Sequence, residues 1–438
     1  MAFLFPQKRT KTINELIFAL NQWVLRIDVS TPDEAAVQTR ARAPRQLSDQ
    51  QRQAADECNR LLAQIRSMMS MYDQEDAPGS EVDFLTGMAK EIYNTNVLLP
   101  LVAHLDALDF EARRDVANMF ALLVQRPPTI DYLLENIPEI FNLLIDNAGK
   151  PETHRPVGNM LRDCTKHEAL LSHILNLKSF WFFFQYMNDP EFEVATDNFS
   201  TFQECMRRFP HVTARFLKTH AELFSSCINS VIRSDNYVAK RQTLRILALL
   251  LRSSLNQDFI WYYAGDIENL KLVMRLLKDK SKNINMEALS VFSVFVANPL
   301  KPAPILEVLI RNKSKLLDMI DNKYSVAERR EDKTYREELH YVRNKISNVP
   351  DPLPRAARAG SVGQLAGDPM GPQPAGRNNA QPPLNHSSSQ LAPQFVPQPS
   401  QLPPQVTAPQ LVHRPSSPSR AQVSPDALNQ EMARHRLQ

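Results

Sequence analysis

The sequence predicts an all-α fold, a right-handed solenoid of helical repeats followed by a disordered C-terminal tail, and three observations carry that expectation. First, five segments share one register: FEARRDVANMF from Phe110, HRPVGNMLRDC from His154, FEVATDNFSTF from Phe192, YVAKRQTLRIL from Tyr237 and NMEALSVFSVF from Asn285. Each has an apolar residue, Ala or Cys at its eighth and eleventh positions, and the starts lie 44, 38, 45 and 48 residues apart, the spacing of armadillo or HEAT-type repeats. Second, nothing before Pro350 alternates polar and apolar residues over the length of a strand. Third, the composition breaks at Pro350: 17 of the 32 prolines lie from there to the end, with seven arginines, four acids and no lysine.

Taken in order, an amphipathic helix from about Thr12 to Arg26 opens the chain. Residues 30–49, with Pro32, Pro44 and isolated charges, read as a long loop. Helical pattern returns from Gln50 to Tyr72, and Ser80 with Asp83 forms an N-cap signature ahead of Phe84 to Tyr93. The repeats follow. Each buries its face against its neighbours, so the body, residues 1–349, is expected to be a curved array with an extended concave surface. The run FWFFFQY from Phe180 to Tyr186 reads as core. The tail, residues 350–438, has too little apolar surface to offset the entropy of ordering it. It holds two minimal Ser-Pro phosphorylation sites, Ser417-Pro418 and Ser424-Pro425, and a short helical pattern from Pro425 to Leu437.

The stretch that organises the body is Tyr237 to Arg252, YVAKRQTLRILALLLR. On a helical wheel Tyr237, Arg241, Arg245, Ala248 and Arg252 fall in one stripe, with apolar residues around it. Acids at i±3 or i±4 are missing from that stripe, so an anion is expected from outside the helix. Two readings compete: a solvated face neutralised by carboxylates of the next helix, or a docking surface for an acidic partner.

Composition and motifs exclude much else. The 350 or so residues before the tail balance 44 basic against 44 acidic side chains, which argues against a nucleic-acid partner. An RNA-binding solenoid would also need stacking aromatics and bases in each repeat, and these repeats lack them. The body's five glycines, Gly79, Gly87, Gly149, Gly158 and Gly265, are too scattered to build a phosphate-cradling loop. Hydrolase, kinase and zinc-protease signatures are missing, and His167 and His173 do not share a helix face. The four cysteines have no metal-site spacing and read as reduced thiols of a cytoplasmic protein. A membrane-spanning run of about 20 apolar residues is not present, so no membrane insertion is expected. The expected product is a surface, with no catalytic residues, cofactor or metal.

Several motifs then resemble, in order, those of the calcium-binding-protein-39 family, the Mo-twenty-five-like scaffold proteins that include the fungal conidiophore-development protein hymA. They are DFEARRDV at 109–116, MLRDC..HE at 160–168, NYVAKRQ at 236–242, ENLKLVM at 268–274, LKDKS at 277–281 and FVANP at 295–299. The resemblance implies a non-catalytic adaptor that holds a Ste-twenty-like kinase or pseudokinase in its active conformation, in signalling for cell polarity and morphogenesis. It implies a concave face that docks the kinase domain and a pocket for a C-terminal Trp-Glu-Phe tail. Carried over by motif, Tyr237, Arg241, Arg245, Met274, Arg311 and Lys315 would form that pocket. Arg252 to Tyr263, RSSLNQDFIWYY, departs from the family pattern that faces the kinase domain, which favours an alternative: a scaffold that binds partners without activating a kinase.

Overall fold

The computed structural model describes residues 11–27, 47–72, 80–328 and 333–351, with backbone alone at 72, 80–83 and 324–328. Among the described residues there are eighteen α-helices and no strand. Most of the loop expected at 30–49 lies outside them, as does the tail beyond residue 351 with its Ser-Pro pairs and short helical pattern.

The chain opens with α1 (Ile13–Ile27), α2 (Asp49–Tyr72), α3 (Ser80–Asn94) and α4 (Leu98–Ala103). Then follow α5 (Phe110–Leu123), α6 (Pro127–Glu135), α7 (Ile137–Ala148), α8 (His154–Cys164), α9 (Glu168–Asn176), α10 (Phe183–Tyr186), α11 (Phe192–Arg207) and α12 (Pro210–Arg233). The C-terminal part holds α13 (Tyr237–Arg252), α14 (Gln257–Gly265), α15 (Ile267–Leu276), α16 (Lys282–Ala297), α17 (Ala303–Glu328) and α18 (Lys333–Ser347). The repeat register holds: Phe110, His154, Phe192 and Tyr237 each begin a helix, and Asn285 lies in the first turn of α16.

Local chemistry explains these starts. Thr12 and Glu15 close a capping box on α1, with Thr12 N donating to Glu15 Oε2 at 2.8 Å and Glu15 N to Thr12 Oγ1 at 3.3 Å. Ser48 and Gln51 repeat the device ahead of α2. Asp109, Asn236, Asp266 and Ser281 accept backbone N–H groups at the starts of α5, α13, α15 and α16. The Ser80–Asp83 cap expected for α3 rests on side chains outside the described set.

The helices form a row in which each packs on the next: α2, α5, α8, α11, α13, α16 and α18. The intervening helices make a second layer, with α12 against α14 and α15 against α17. One apolar core runs between the layers, from Leu16 to Val349. The aromatic run belongs to it: Phe180 and Phe183 are fully buried and Phe184 nearly so, while Phe182 alone stays outward. Cys58, Cys164 and Cys205 are buried and Cys227 half-buried, all as free thiols.

The corners between helices carry a device that periodicity does not reveal. A buried Thr or Asn of one helix start donates to a carbonyl at the end of the helix before it, where the i+4 donors of that helix run out. Thr153 Oγ1 meets Asn147 O at 2.7 Å, Thr213 Oγ1 meets Met206 O at 3.1 Å and Asn256 Nδ2 meets Leu250 O at 2.8 Å. Asn269 Nδ2 reaches Tyr263 O at 3.0 Å, Asn285 Nδ2 reaches Leu277 O at 2.7 Å, and Thr129 does the same for Leu123. Each joint is thereby fixed, and with it the angle at which the next helix presents its outer face.

Candidate functional site

Helix α13 begins where Asn236 Oδ1 accepts Ala239 N at 3.0 Å. It is held by α11, α12, α14 and α16. Thr243, Leu244, Ile246, Leu247, Leu250 and Leu251 are buried, which leaves one narrow outward face. On it Tyr237 is 43% exposed and Leu249 41%, with Arg245 and Arg252 also outward. Ala248, expected in the stripe, is buried at 6%: it turns toward the neighbouring helices, and the stripe ends as a set of three arginines and a tyrosine.

The anions come from two helices of the same row. Glu287 of α16 brings Oε1 to 3.9 Å from Arg241 Nε, too far for a hydrogen bond. Burial pushes the Glu287 carboxyl above its ordinary value, opposed by the charges of Arg245 and Arg241. Glu338 of α18 pairs closely with Arg252 and accepts Ser290 Oγ at 2.9 Å. Asn283 Nδ2 donates to Tyr237 Oη at 3.0 Å; this hydrogen bond, with Ser281 and the charge of Arg241, lowers the phenol's pKa. Arg245 feels Glu287 electrostatically, yet no ion pair or hydrogen bond to it occurs among the described residues. Three guanidinium groups therefore face two carboxylates, with Arg245 as the outward surplus.

The other three candidates stand elsewhere. Met274 on α15 is half-buried against the core. Arg311 on α17 pairs with Glu307 one turn away at 2.8 Å, both exposed, and Lys315 lies one turn further along the same helix, also exposed. Helix α15 packs on both α16 and α17. The structure thus divides the six residues into a row-face group, Tyr237, Arg241 and Arg245, and a second-layer group, Met274, Arg311 and Lys315.

Sequence reasoning missed Asn283, Glu287 and Ser290. Their spacing of four and three residues puts all three on one face of a largely apolar helix, KNINMEALSVFSVFVA, a signal the wheel used for α13 would have found. A cleft of about 280 Å³ also opens between α2, α3 and α5, walled by Leu62, Met69, Phe84 and Met119 beside an Arg66–Asp115 pair at 3.0 Å, and none of the six candidates lines it. Among the described residues no three His, Cys, Asp or Glu side chains are grouped to hold a metal, and no helix is long and apolar enough to cross a membrane.

Residues 3–350 match the family model described as Mo25-like. The chain belongs to the Mo25-like family. Among its relatives, the Mo25-like protein of Schizosaccharomyces pombe is 33% identical over 69% of this chain and 92% of that one. The degreening-related gene dee76 protein of Auxenochlorella protothecoides is 35% identical, covering 65% and 89%. Calcium-binding protein 39-like of Homo sapiens is 32% identical, covering 69% and 89%. Among solved structures, a computationally designed armadillo repeat protein aligns over 63% of this chain at a TM-score of 0.34 and 11% identity. Mo25-like proteins are scaffold proteins, and the row of packed helices gives this member the extended surface such a role uses.

Proposed function

We propose that this chain is a non-catalytic cytoplasmic scaffold that binds a Ste-twenty-like kinase or pseudokinase and favours its active conformation, in signalling for cell polarity and morphogenesis. The observation that carries the reading is Arg245: an outward guanidinium without an ion-pair partner among the described residues, on the row face, in a member of a scaffold family. In this reading the row face, with Tyr237, Arg241 and Arg245, meets the kinase domain. The second-layer group grips a C-terminal Trp-Glu-Phe tail: the thioether and stem of Met274 receive an aromatic ring, while Arg311 and Lys315 meet carboxylates.

To move the partner from 1:99 to 99:1 in favour of the active form, the scaffold must bind that form more tightly by about 5.5 kcal/mol. Tail binding with equal affinity for both forms contributes tethering alone.

Calorimetric titration of the full chain with an acidic peptide ending in Trp-Glu-Phe tests the tail. Micromolar binding, about −8 kcal/mol, is expected, lost in Met274→Ala, Arg311→Ala and kept in Arg241→Ala, Arg245→Ala. No binding to the intact chain would withdraw the tail pocket. Activity of a Ste-twenty-like kinase with and without the scaffold tests the rest.

A second reading, a scaffold that binds without activating, is favoured by Arg252. At the start of the divergent Arg252–Tyr263 segment, its guanidinium is engaged internally by Glu338 instead of being free for a partner. That reading predicts a complex with unchanged kinase activity.

A further inference from the structure

We propose that Glu287 is an internal stand-in for the partner's acid: it occupies the field of Arg241 and Arg245 in the free chain and tunes that pair to receive one carboxylate and not a phosphate. The inference deepens the reading of the row face as a docking surface and rests on it.

Three observations carry it. The two carboxylates behind the stripe are held differently. Glu338 is closed, bound by Arg252 and by Ser290 Oγ at 2.9 Å. Glu287 is open: its side chain is only 21% exposed, no hydrogen bond to it occurs among the described residues, and its nearest cation stands at 3.9 Å. A carboxylate partly withdrawn from water and without a protein donor is loosely held; burial raises its pKa while the two guanidiniums pull it down, and both of them lie within its field. Second, Arg241 and Arg245 are one turn apart on α13, so an incoming carboxylate can meet both at once. Third, two guanidinium charges less one carboxylate leave a single net positive charge at this point. One carboxylate from a partner helix matches it. A phosphate, with a charge near −2, would exceed it and be repelled by Glu287.

Glu287 therefore weakens every anion at the stripe, and weakens dianions most. It sets which acid the surface reads, whereas Arg245 supplies the attraction.

The test uses the full chain and two alanine-based helical peptides, identical except that one carries a single glutamate and the other a phosphoserine at the same position, followed by fluorescence anisotropy at low salt. The wild-type chain is expected to prefer the glutamate peptide. Glu287→Gln should bind the glutamate peptide about threefold or more tightly, gain more for the phosphopeptide and so reverse or erase the preference. Glu287→Gln with Arg245→Ala should lose the gain. Thermal melts of each variant check that the fold is intact, and Glu287→Asp serves where Gln disturbs packing, with tightening smaller than for Gln. Peptide binding unmoved or weakened by Glu287→Gln would overturn the stand-in role while leaving the docking surface in place. If neither wild type nor Glu287→Gln binds either peptide, the docking reading falls and the proposal with it.

Discussion

Asn229 and Asn269, forty residues apart in the chain, meet side chain to side chain: Asn229 Nδ2 donates to Asn269 Oδ1 at 2.7 Å, and both are buried. Tyr263 Oη donates to Asn229 Oδ1 at 2.9 Å, and Asn269 Nδ2 returns to Tyr263 O at 3.0 Å. The loop of bonds ties α12, α14 and α15 together, with every member inside the core. Removing Asn269 leaves the buried Asn229 Nδ2 without its acceptor and takes one donor from Tyr263 O. Asn269→Ala is expected to cost about 2–4 kcal/mol of unfolding free energy, read by urea denaturation. A loss under about 0.5 kcal/mol would mean that the network relaxes onto other partners.

Gly158 lies where α8 meets α11. A Cβ built there would stand 2.1 Å from Asp197 Oδ2 and 2.9 Å from Arg162 Nη1. Arg162 and Asp197 form the ion pair that joins the two helices at 3.0 Å, with Thr201 Oγ1 accepting from the same guanidinium at 2.7 Å. Gly158→Ala must push that pair apart, and a cost of about 1–3 kcal/mol is expected. The combined Gly158→Ala, Asp197→Ala variant should be no less stable than Asp197→Ala alone, a comparison that chemical denaturation of the three chains decides.

Glu287 gives stability a pH dependence. A carboxyl whose folded pKa lies above its unfolded value holds its proton more tightly in the native state. The stability it contributes is therefore present at low pH and is lost as pH rises through the folded value. Burial is the main cause for Glu287, joined by Glu338, against the charges of Arg245, Arg241 and Arg252. Glu287→Gln should match the wild-type chain near pH 4 and become relatively more stable toward pH 7. Urea denaturation at the two values checks the sign, and a variant that loses ground with rising pH would show that the arginines outweigh burial.

The thiols should be nearly inert in the native state. Burial pushes Cys58 and Cys205 up to about 12 and raises Cys164 well above the ordinary thiol value, while Cys227 is half-buried and also raised. Thiolate is the reactive form. With a colorimetric disulfide reagent at pH 8, the folded chain is expected to release at most one equivalent, abolished by Cys227→Ser, and four after unfolding. Rapid reaction of more than one thiol before unfolding would place the core of α2, α8 or α11 in exchange with solvent.

The sequence spoke most clearly where physics is periodic. The helices that start at Phe110, His154, Phe192 and Tyr237 were legible because apolar positions at repeat spacing, such as the eighth and eleventh of each segment, must fall on buried faces, and that constraint is visible in one dimension. It spoke less clearly where a single polar atom decides. Thr153, Asn256 and Asn285 look like ordinary loop or helix-start residues, yet each closes a corner through a carbonyl that only the fold brings near. The stripe on α13 was legible and its counter-ions were not, because Glu287 and Glu338 belong to later repeats and pairing across repeats leaves no local trace. Met274, Arg311 and Lys315 were grouped with that stripe by motif alone, and their place in the second layer depends on how α15 and α17 pack.

Lys313 clasps the far end of the body. Its ammonium group donates to Val349 O at 2.6 Å and to Asp351 Oδ1 at 2.7 Å, reaching from α17 over the last turn of chain after α18. Val349 is itself 5% exposed, so the clasp pins an apolar plug in place. For anyone cutting the gene, the safe terminus is set by this knot and not by where the last helix stops. A chain ending at Ser347 would forfeit both the plug and its fastening, and α18 carries the Glu338 that holds Arg252. Loosening that end plate would free a third guanidinium on the row face, and a trimmed chain would then bind acidic surfaces for reasons the intact protein does not share.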